Sequence, residues 1–234
     1  RLSGLRQCMC GASPLAEEDA REFQERTGAV ILEGFGLSEA SPVTHSNPSD
    51  GSSRTGSIGL PLPNTEVRLV DLATGLQPVA PGEVGELVIR GPQVMRGYLD
   101  DPEETALTLR RGWLYTGDLA VMSADGFFEI VDRKKDMIIS GGLNVFPSIV
   151  EETLLRHPSI EACAVVGRPD RKYGELVCAF VVPVAGASMN VKDVREFCQD
   201  ELCSYKIPKE VRLVEELPET FLGKVRRVEL RKAA

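Results

Sequence analysis

Residues 130–152 read IVDRKKDMIISGGLNVFPSIVEE, and the charged knot between their two apolar runs divides the chain. Asp132, Arg133, Lys134, Lys135 and Asp136 follow one another without an apolar residue between them, a run that no core accommodates. Upstream, from Asn64 to Val131, short apolar runs alternate with glycine and proline punctuation: EVRLVD, TGLQPVAPGEVG, GELVIRG, GWLYTGDLAVM and GFFEIVD. This spacing predicts a mostly β region. Its one expected helix runs from Pro102 to Leu109, opened by a proline suited to a first helical turn. Downstream, the pattern predicts a strand at MIIS, a helix from Pro147 to Arg156, strands at EACAVVG and ELVCAFVV, and a helix from Val191 to Cys203. Asn190 is the expected N-cap of that last helix, with Val191, Val194, Cys198 and Leu202 on one face. A strand at EVRLVEEL and a short helix at VRRVELRKA follow. The expected class is therefore mixed, α+β to α/β: a β-rich part at residues 1–133 and a small α/β domain at 134–234.

The first residues fit the β-rich part less obviously. The sequence starts at Arg1 without a methionine and reads as the middle of a domain, so a fragment of a longer protein is expected. Pro14 to Gly28 predicts a helix with acidic residues in its first turn, Phe23 inward and Gly28 as the stop. Ala29 to Leu32 then reads as a short buried strand.

The composition narrows the function classes. With 234 residues, 42% of them hydrophobic, the chain can bury a core in one large or two small domains. A net charge of −8 repels polyanions, which argues against general affinity for nucleic acid. No apolar run of spanning length, signal peptide or lipidation motif is found, so a soluble cytoplasmic protein is expected, with peripheral contact at the inner membrane face left open. No sequence feature speaks to oligomeric state. The six cysteines form no CxxC pair and have only His45 and His157 as partners, so a zinc site through them is not expected. Cys163 and Cys178 sit in apolar runs and read as buried, reduced thiols.

Four stretches carry candidate chemistry, each with a bland alternative. In Glu33-Gly34-Phe35-Gly36-Leu37-Ser38-Glu39, glycines allow close backbone approach or positive φ, a ring can stack on a base, a hydroxyl can meet phosphate, and a carboxylate can hold Mg²⁺. It also reads simply as a glycine turn ending a strand. Asp118, in Leu114-Tyr115-Thr116-Gly117-Asp118-Leu119, reads either as a turn residue between strands or as a clamp for both hydroxyls of a ribose. The 132–136 knot is either a solvated face or a hinge between domains, and Gly141 and Gly142 behind it leave a slot free of side chains. Lys224, after a glycine in an expected exposed loop, is either a surface cation or a reactive one.

Taken together and in this order, the stretches resemble the adenylate-forming superfamily of acyl-CoA synthetases, luciferases and peptide-synthetase adenylation domains. The likeness runs from about Leu2 to Lys232. It is similar in particular to bacterial long-chain fatty acyl-CoA ligases, through EGFGLSE, NPSDGSSRTGSIGLPLPNTEVRLVD, GPQVMRGY and IVDRKKDMIISGGLNVFPSIVEE. The resemblance implies that residues 1–133 are the remainder of a large AMP-binding domain and 134–234 a mobile lid. It implies that Gly11 and Ala12 line the adenine or acyl pocket, that Phe35 and Gly36 pack against adenine, and that Ser38 contacts phosphate. Glu39 would be catalytic as the holder of Mg²⁺, Asp118 would bind the ribose hydroxyls, and Arg133 would lie nearby. Lys135 matches the hinge, Gly141 and Gly142 the tunnel for the pantetheine of coenzyme A, and Lys224 the lysine of the adenylation step.

The implied reaction joins a fatty carboxylate to ATP, giving acyl-AMP and pyrophosphate, and then exchanges AMP for coenzyme A. Its substrates are a fatty acid, ATP and coenzyme A, with Mg²⁺ as cofactor. The family's Ser/Thr/Gly-rich phosphate loop has no counterpart in these residues, so nucleotide binding without useful turnover is expected of the chain alone. Two other readings remain open: an acyl-adenylating enzyme that loads a carrier protein, and a non-catalytic nucleotide-binding module.

Overall fold

The structure is a computed structural model that describes residues 4–11, 15, 17–187, 189–221 and 223–234. It forms two compact units, Arg1–Val131 and Asp132–Ala234.

The first unit opens with strand β1 (Gln7–Cys10), helix α1 (Glu17–Thr27) and strand β2 (Val30–Gly36), followed by β3 (Val43–Ser46) and the short β4 (Leu60–Pro61). These four strands make one sheet in the order β1-β2-β3-β4, with β1 and β2 parallel. A parallel pair needs a crossover, which α1 provides. That helix stops at Gly28, whose φ of 72° takes the left-handed region while its N–H reaches the Gln24 carbonyl at 2.8 Å. Strand β2 runs further than its apolar start suggested, taking in Gly34, Phe35 and Gly36.

The chain continues through β5 (Glu66–Val70), β6 (Gly85–Arg90), helix α2 (Pro102–Thr108), β7 (Leu109–Arg110), β8 (Trp113–Met122) and β9 (Phe128–Arg133), the last two residues of which already belong to the second unit. They form a second sheet in the order β5-β6-β8-β7, with β9 on β8. TGLQPVAPGEVG is a connection with no strand of its own. It adds an isolated bridge from Val70 to Pro78, and Asp71 organises its start by accepting the N–H groups of Thr74, Leu76 and Gln77 at 2.6 to 3.2 Å. Helix α2 starts where Asp101 accepts the Glu104 N–H at 3.0 Å, with Pro102 in its first turn. Leu69, Leu87, Ile89, Ala120 and Phe128 are the buried centre of this sheet, and Phe35 and Leu37 from the end of β2 pack against them. That packing fixes the end of β2 over the second sheet.

The second unit runs β10 (Ile138–Ser140), β11 (Leu143–Val145), helix α3 (Pro147–Leu155), β12 (Ile160–Asp170), β13 (Gly174–Pro183), helix α4 (Val191–Glu201), β14 (Glu210–Leu213) and helix α5 (Arg227–Ala233). Its sheet is ordered β11-β10-β13-β12, with β14 parallel to β13. β12 and β13 are apolar at almost every position because both faces of the sheet are covered. Val165, Val177, Ala179 and Val181 face α3 and α4, where they meet Val150, Leu154, Val194 and Cys198. Ala164, Val166, Cys178 and Phe180 face the other way, toward Leu230 of α5. Asn190 caps α4 reciprocally: its side-chain Oδ1 accepts the Lys192 and Asp193 N–H groups, and the Asp193 carboxylate accepts the Asn190 N–H at 3.0 Å. Val191 departs from its expected place, since at the first helical position it is 41% exposed, outside the buried stripe of Val194 and Cys198.

All six cysteines are free, and Cys178 and Cys198 are buried while Cys163 is half-buried. Burial pushes the Cys163 thiol up to about 12, and those of Cys178 and Cys198 up to about 11. Among the described residues no helix is long and apolar enough to cross a membrane.

Candidate nucleotide site and lysine arm

The β2–β3 hairpin explains why EGFGLSE needs two glycines. Gly34 lies opposite Ser46, Phe35 opposite His45 and Gly36 opposite Val43, with a bulge between Phe35 and Gly36. A Cβ on Gly36 would stand 2.2 Å from the Pro42 carbonyl oxygen, and one on Gly34 would stand 2.9 Å from that of His45. Neither glycine has a positive φ. They are therefore required by close backbone approach inside a strand rather than by a turn at its end.

That approach leaves a cavity of about 240 Å³ over the start of the sheet, lined among others by Cys10, Gly11, Gly34, Phe35, Gly36 and Val43. Gly11, Phe35 and Gly36 are thus brought together on one concave surface. Ala12 lies outside the described residues.

Past Leu37 the chain turns through a single 3₁₀ turn, Ser38–Ala40, which leaves Ser38 exposed and Glu39 half-buried. The Glu39 carbonyl accepts the Met95 N–H at 2.7 Å, and the Tyr98 hydroxyl donates to Glu39 Oε1 at 2.8 Å. Burial, followed by the adjacent Glu39 carboxylate, raises the Tyr98 phenol pKa. The Tyr98 hydroxyl thereby fixes the orientation of the Glu39 side chain. No cluster of three or more metal-type side chains occurs among the described residues. One fixed carboxylate still suits Mg²⁺, which commonly takes one or two carboxylates and fills its shell with phosphate and water.

Sequence reading missed His45 here, having weighed it only as a cysteine partner. It is fully buried, stands between the rings of Phe35 at 6.1 Å and Phe128 at 5.0 Å, and has Nδ1 2.9 Å from Thr44 Oγ1. Desolvation drives its pKa down to about 4, so the ring is neutral near pH 7.

Asp118 is not in a turn between strands; it lies inside the continuous strand β8. The ladder to β6 is irregular between Glu86 and Val88, and Gly117 takes a φ of 71°. A glycine in the left-handed region is how a strand absorbs an extra residue. Around it the Thr116 hydroxyl donates to the Leu87 carbonyl at 2.8 Å and accepts the Asp118 N–H at 3.0 Å. Asp118 is 3% exposed. Two residues on, Ala120 belongs to the core that Phe35 and Leu37 pack against.

The remaining predicted residues belong to the second unit or its edge. Arg133 is exposed at the end of β9, and its carbonyl accepts the N–H groups of Asp136 and Met137 at 2.9 and 3.1 Å, closing a turn that displays Lys135. Asp132 accepts the Ser148 N–H at 2.9 Å, in the first turn of α3, where the N-cap Phe146 has no side-chain acceptor to offer. Gly141 and Gly142, with φ of 61° and 81°, form the two-residue loop of the β10–β11 hairpin. Positive φ at both positions is the primed-turn requirement, so the turn itself demands the pair. Lys224 is exposed in a short hairpin whose tip contains Gly223 at φ 74°.

Behind Lys224 lies a network that the sequence did not suggest. Arg227 donates to both oxygens of Glu151, at 2.5 and 2.8 Å, and to the Val165 carbonyl at 2.8 Å. Arg231 donates to Asp136 at 2.6 Å and to the Lys135 carbonyl at 3.1 Å. Burial alone would lower the Arg227 pKa, but the bond to Glu151 and the charges of Glu151, Asp132 and Asp136 outweigh it and raise the value.

Two family models match the chain, AMP-binding enzyme over residues 1–99 and AMP-binding enzyme C-terminal domain over residues 149–224. A long-chain-fatty-acid–CoA ligase of Bacillus subtilis (strain 168) is 46% identical over 226 residues, which is 97% of this chain and 40% of that protein. A feruloyl-CoA synthase of Amycolatopsis sp is 42% identical over 232 residues, 99% of this chain and 47% of that protein. Among solved structures, ATP-bound MatB from Rhodopseudomonas palustris superposes with a TM-score of 0.89 at 34% identity, over 96% of this chain and 44% of that one. The chain thus spans less than half the length of these relatives.

Proposed function

This chain belongs to the AMP-binding enzyme family, and from that premise we propose that it is the C-terminal portion of an ATP-dependent fatty acyl-CoA ligase. The observation that carries the proposal furthest is the concavity formed by Gly11, Phe35 and Gly36 beside the turn bearing Ser38 and Glu39. A shallow apolar cavity lined by three glycines and an aromatic residue suits a flat heterocycle, and an oriented carboxylate on the turn that follows suits a magnesium-bound phosphate. The names of the relatives supply the acid–thiol class, with a fatty acid favoured over an aromatic acid by the B. subtilis match.

In the proposed reaction a carboxylate oxygen bonds to the α-phosphorus of ATP and the bond to pyrophosphate breaks. The thiolate of coenzyme A then bonds to the acyl carbon, and AMP leaves with the shared oxygen. The first step brings an anion to a polyanion, so cations must meet the developing charge. Mg²⁺, when bound, would supply part of that charge near Glu39, and Lys224 the rest. Phe35 and Gly36 would hold the adenine, Ser38 a phosphate oxygen, and the buried Asp118 the ribose hydroxyls, with Arg133 nearby. Residues 134–234 would act as the lid turning at Lys135, with the Gly141–Gly142 loop meeting the pantetheine arm.

The test is made in the full-length protein. Lys224→Ala should abolish carboxylate-dependent exchange of pyrophosphate into ATP but leave thioester formation from supplied acyl-adenylate. Equal loss of both half-reactions overturns the assignment of Lys224. A panel of carboxylic acids assayed for consumption of free coenzyme A then decides between a fatty acyl-CoA ligase and a carrier-loading enzyme.

A further inference from the structure

The hairpin that carries Lys224 is anchored by charged side chains for which the proposed chemistry has no use. Thr220 N–H bonds to the Lys224 carbonyl at 2.7 Å, Lys224 N–H to Thr220 Oγ1 at 3.1 Å, and Arg226 N–H to the Pro218 carbonyl at 2.7 Å. The hairpin runs without a break into α5, a helix of 7 residues whose one buried side chain is Leu230. A helix that short is not stable by itself, so what it binds decides where it sits.

Arg227 and Arg231 stand one helical turn apart and share a face. The first grips Glu151 of α3 with two bonds and the Val165 carbonyl of β12 with a third. The second grips Asp136 and the Lys135 carbonyl, in the turn that follows Arg133. Asp136 is 9% exposed, and Glu151 also accepts the Val165 N–H at 2.6 Å. Charges this far from water are held only by good geometry, and a two-point guanidinium–carboxylate pair fixes angle as well as distance.

We propose that Arg227 and Arg231 are positioning residues for Lys224, clamping its hairpin to α3 and to the turn at Lys135, so that Lys224 moves only when this whole unit moves. The proposal rests on the reading that Lys224 serves adenylation. A loose hairpin would let the ammonium group wander from the phosphorus by an ångström or more, at a cost on the order of tenfold to a hundredfold in that step.

The experiment compares Arg227→Gln, Arg231→Gln and Lys224→Ala with the unaltered full-length protein. Amide hydrogen exchange across residues 218–226 measures the clamp directly. It should accelerate in both arginine variants while β12 and β13 stay protected. Pyrophosphate exchange should fall about tenfold or more in the same variants, with thioester formation from supplied acyl-adenylate changed less than about twofold. Unchanged exchange at residues 218–226, or equal loss in both half-reactions, overturns the clamp. If Arg227→Gln does not fold, Arg231→Gln carries the same test. Full pyrophosphate exchange in Lys224→Ala would strike down the role of the lysine, while hydrogen exchange would still decide whether the arginines hold the hairpin.

Discussion

Replacing Gly36 with alanine tests the claim that the nucleotide concavity depends on bare backbone. The new methyl would stand 2.2 Å from the Pro42 carbonyl oxygen and 2.7 Å from its carbon, whereas ordinary contact begins at 3.4 Å. Both obstacles are backbone, so no side chain can swing aside, and the hairpin must open by about 1 Å. The same Pro42 oxygen accepts the Leu37 N–H at 2.9 Å, a bond that the opening breaks. Overpacking costs about 1–3 kcal/mol and the lost bond about 1 kcal/mol, so the sum is about 2–4 kcal/mol. For a unit of this size a kcal/mol moves the midpoint by about 3–4 °C, which predicts a fall of roughly 6–16 °C in the thermal transition of the first unit. Differential scanning calorimetry measures it, and titration with AMP should show weakened binding in the same protein. Gly142→Ala is the control: its Cβ meets nothing within 4 Å, so only the left-handed φ of 81° opposes it, at about 1–2 kcal/mol. A Gly36→Ala protein perturbed no more than the control would show that the bulge absorbs a methyl and that the clash argument is wrong.

His45 should make stability depend on pH. Its folded value of about 4 lies below the unfolded 6.5, so its contribution is complete above pH 6.5 and is lost as pH falls toward 4, by about 3 kcal/mol in all. His45→Gln should flatten the midpoint-against-pH curve in that window, and parallel curves would refute the assignment. Tyr98→Phe removes the donor to Glu39 and should raise the Mg²⁺ concentration for half-maximal rate in the full-length protein by about tenfold; an unchanged requirement separates Glu39 from the metal. At pH 8 a disulfide reagent should modify the exposed Cys203 quickly, and Cys163, Cys178 and Cys198 only after denaturation. Modification of those three at the rate of Cys203 would contradict their burial.

The elements legible in the sequence are those whose cause is local. Asn190 announces α4, Pro102 announces α2, and the apolar runs EACAVVG and ELVCAFVV announce β12 and β13. Asp118 was misplaced because a glycine at positive φ looks the same in sequence whether it turns the chain or bulges a strand; only the ladder with β6 distinguishes them. β1 gave no signal, for QCMC becomes a strand by pairing with β2 across the intervening helix. Of the candidate site, the motif residues could be named, but the partners that orient them could not. Tyr98 reaches Glu39 across 59 residues and Arg227 reaches Glu151 across 76, and no periodicity records contacts that distant.

The double grip on α5 also has a consequence for biosynthesis. A ribosome delivers β12 and β13 well before Arg227, and that antiparallel ladder needs only a short loop to close. A nascent chain paused in between would already own its sheet yet present Val166 and Phe180 to solvent or to a chaperone, because Leu230 has not been translated. Formation of α5 therefore has two effects at once: it covers Val166 and Phe180, and under the proposed clamp it also sets the lysine arm.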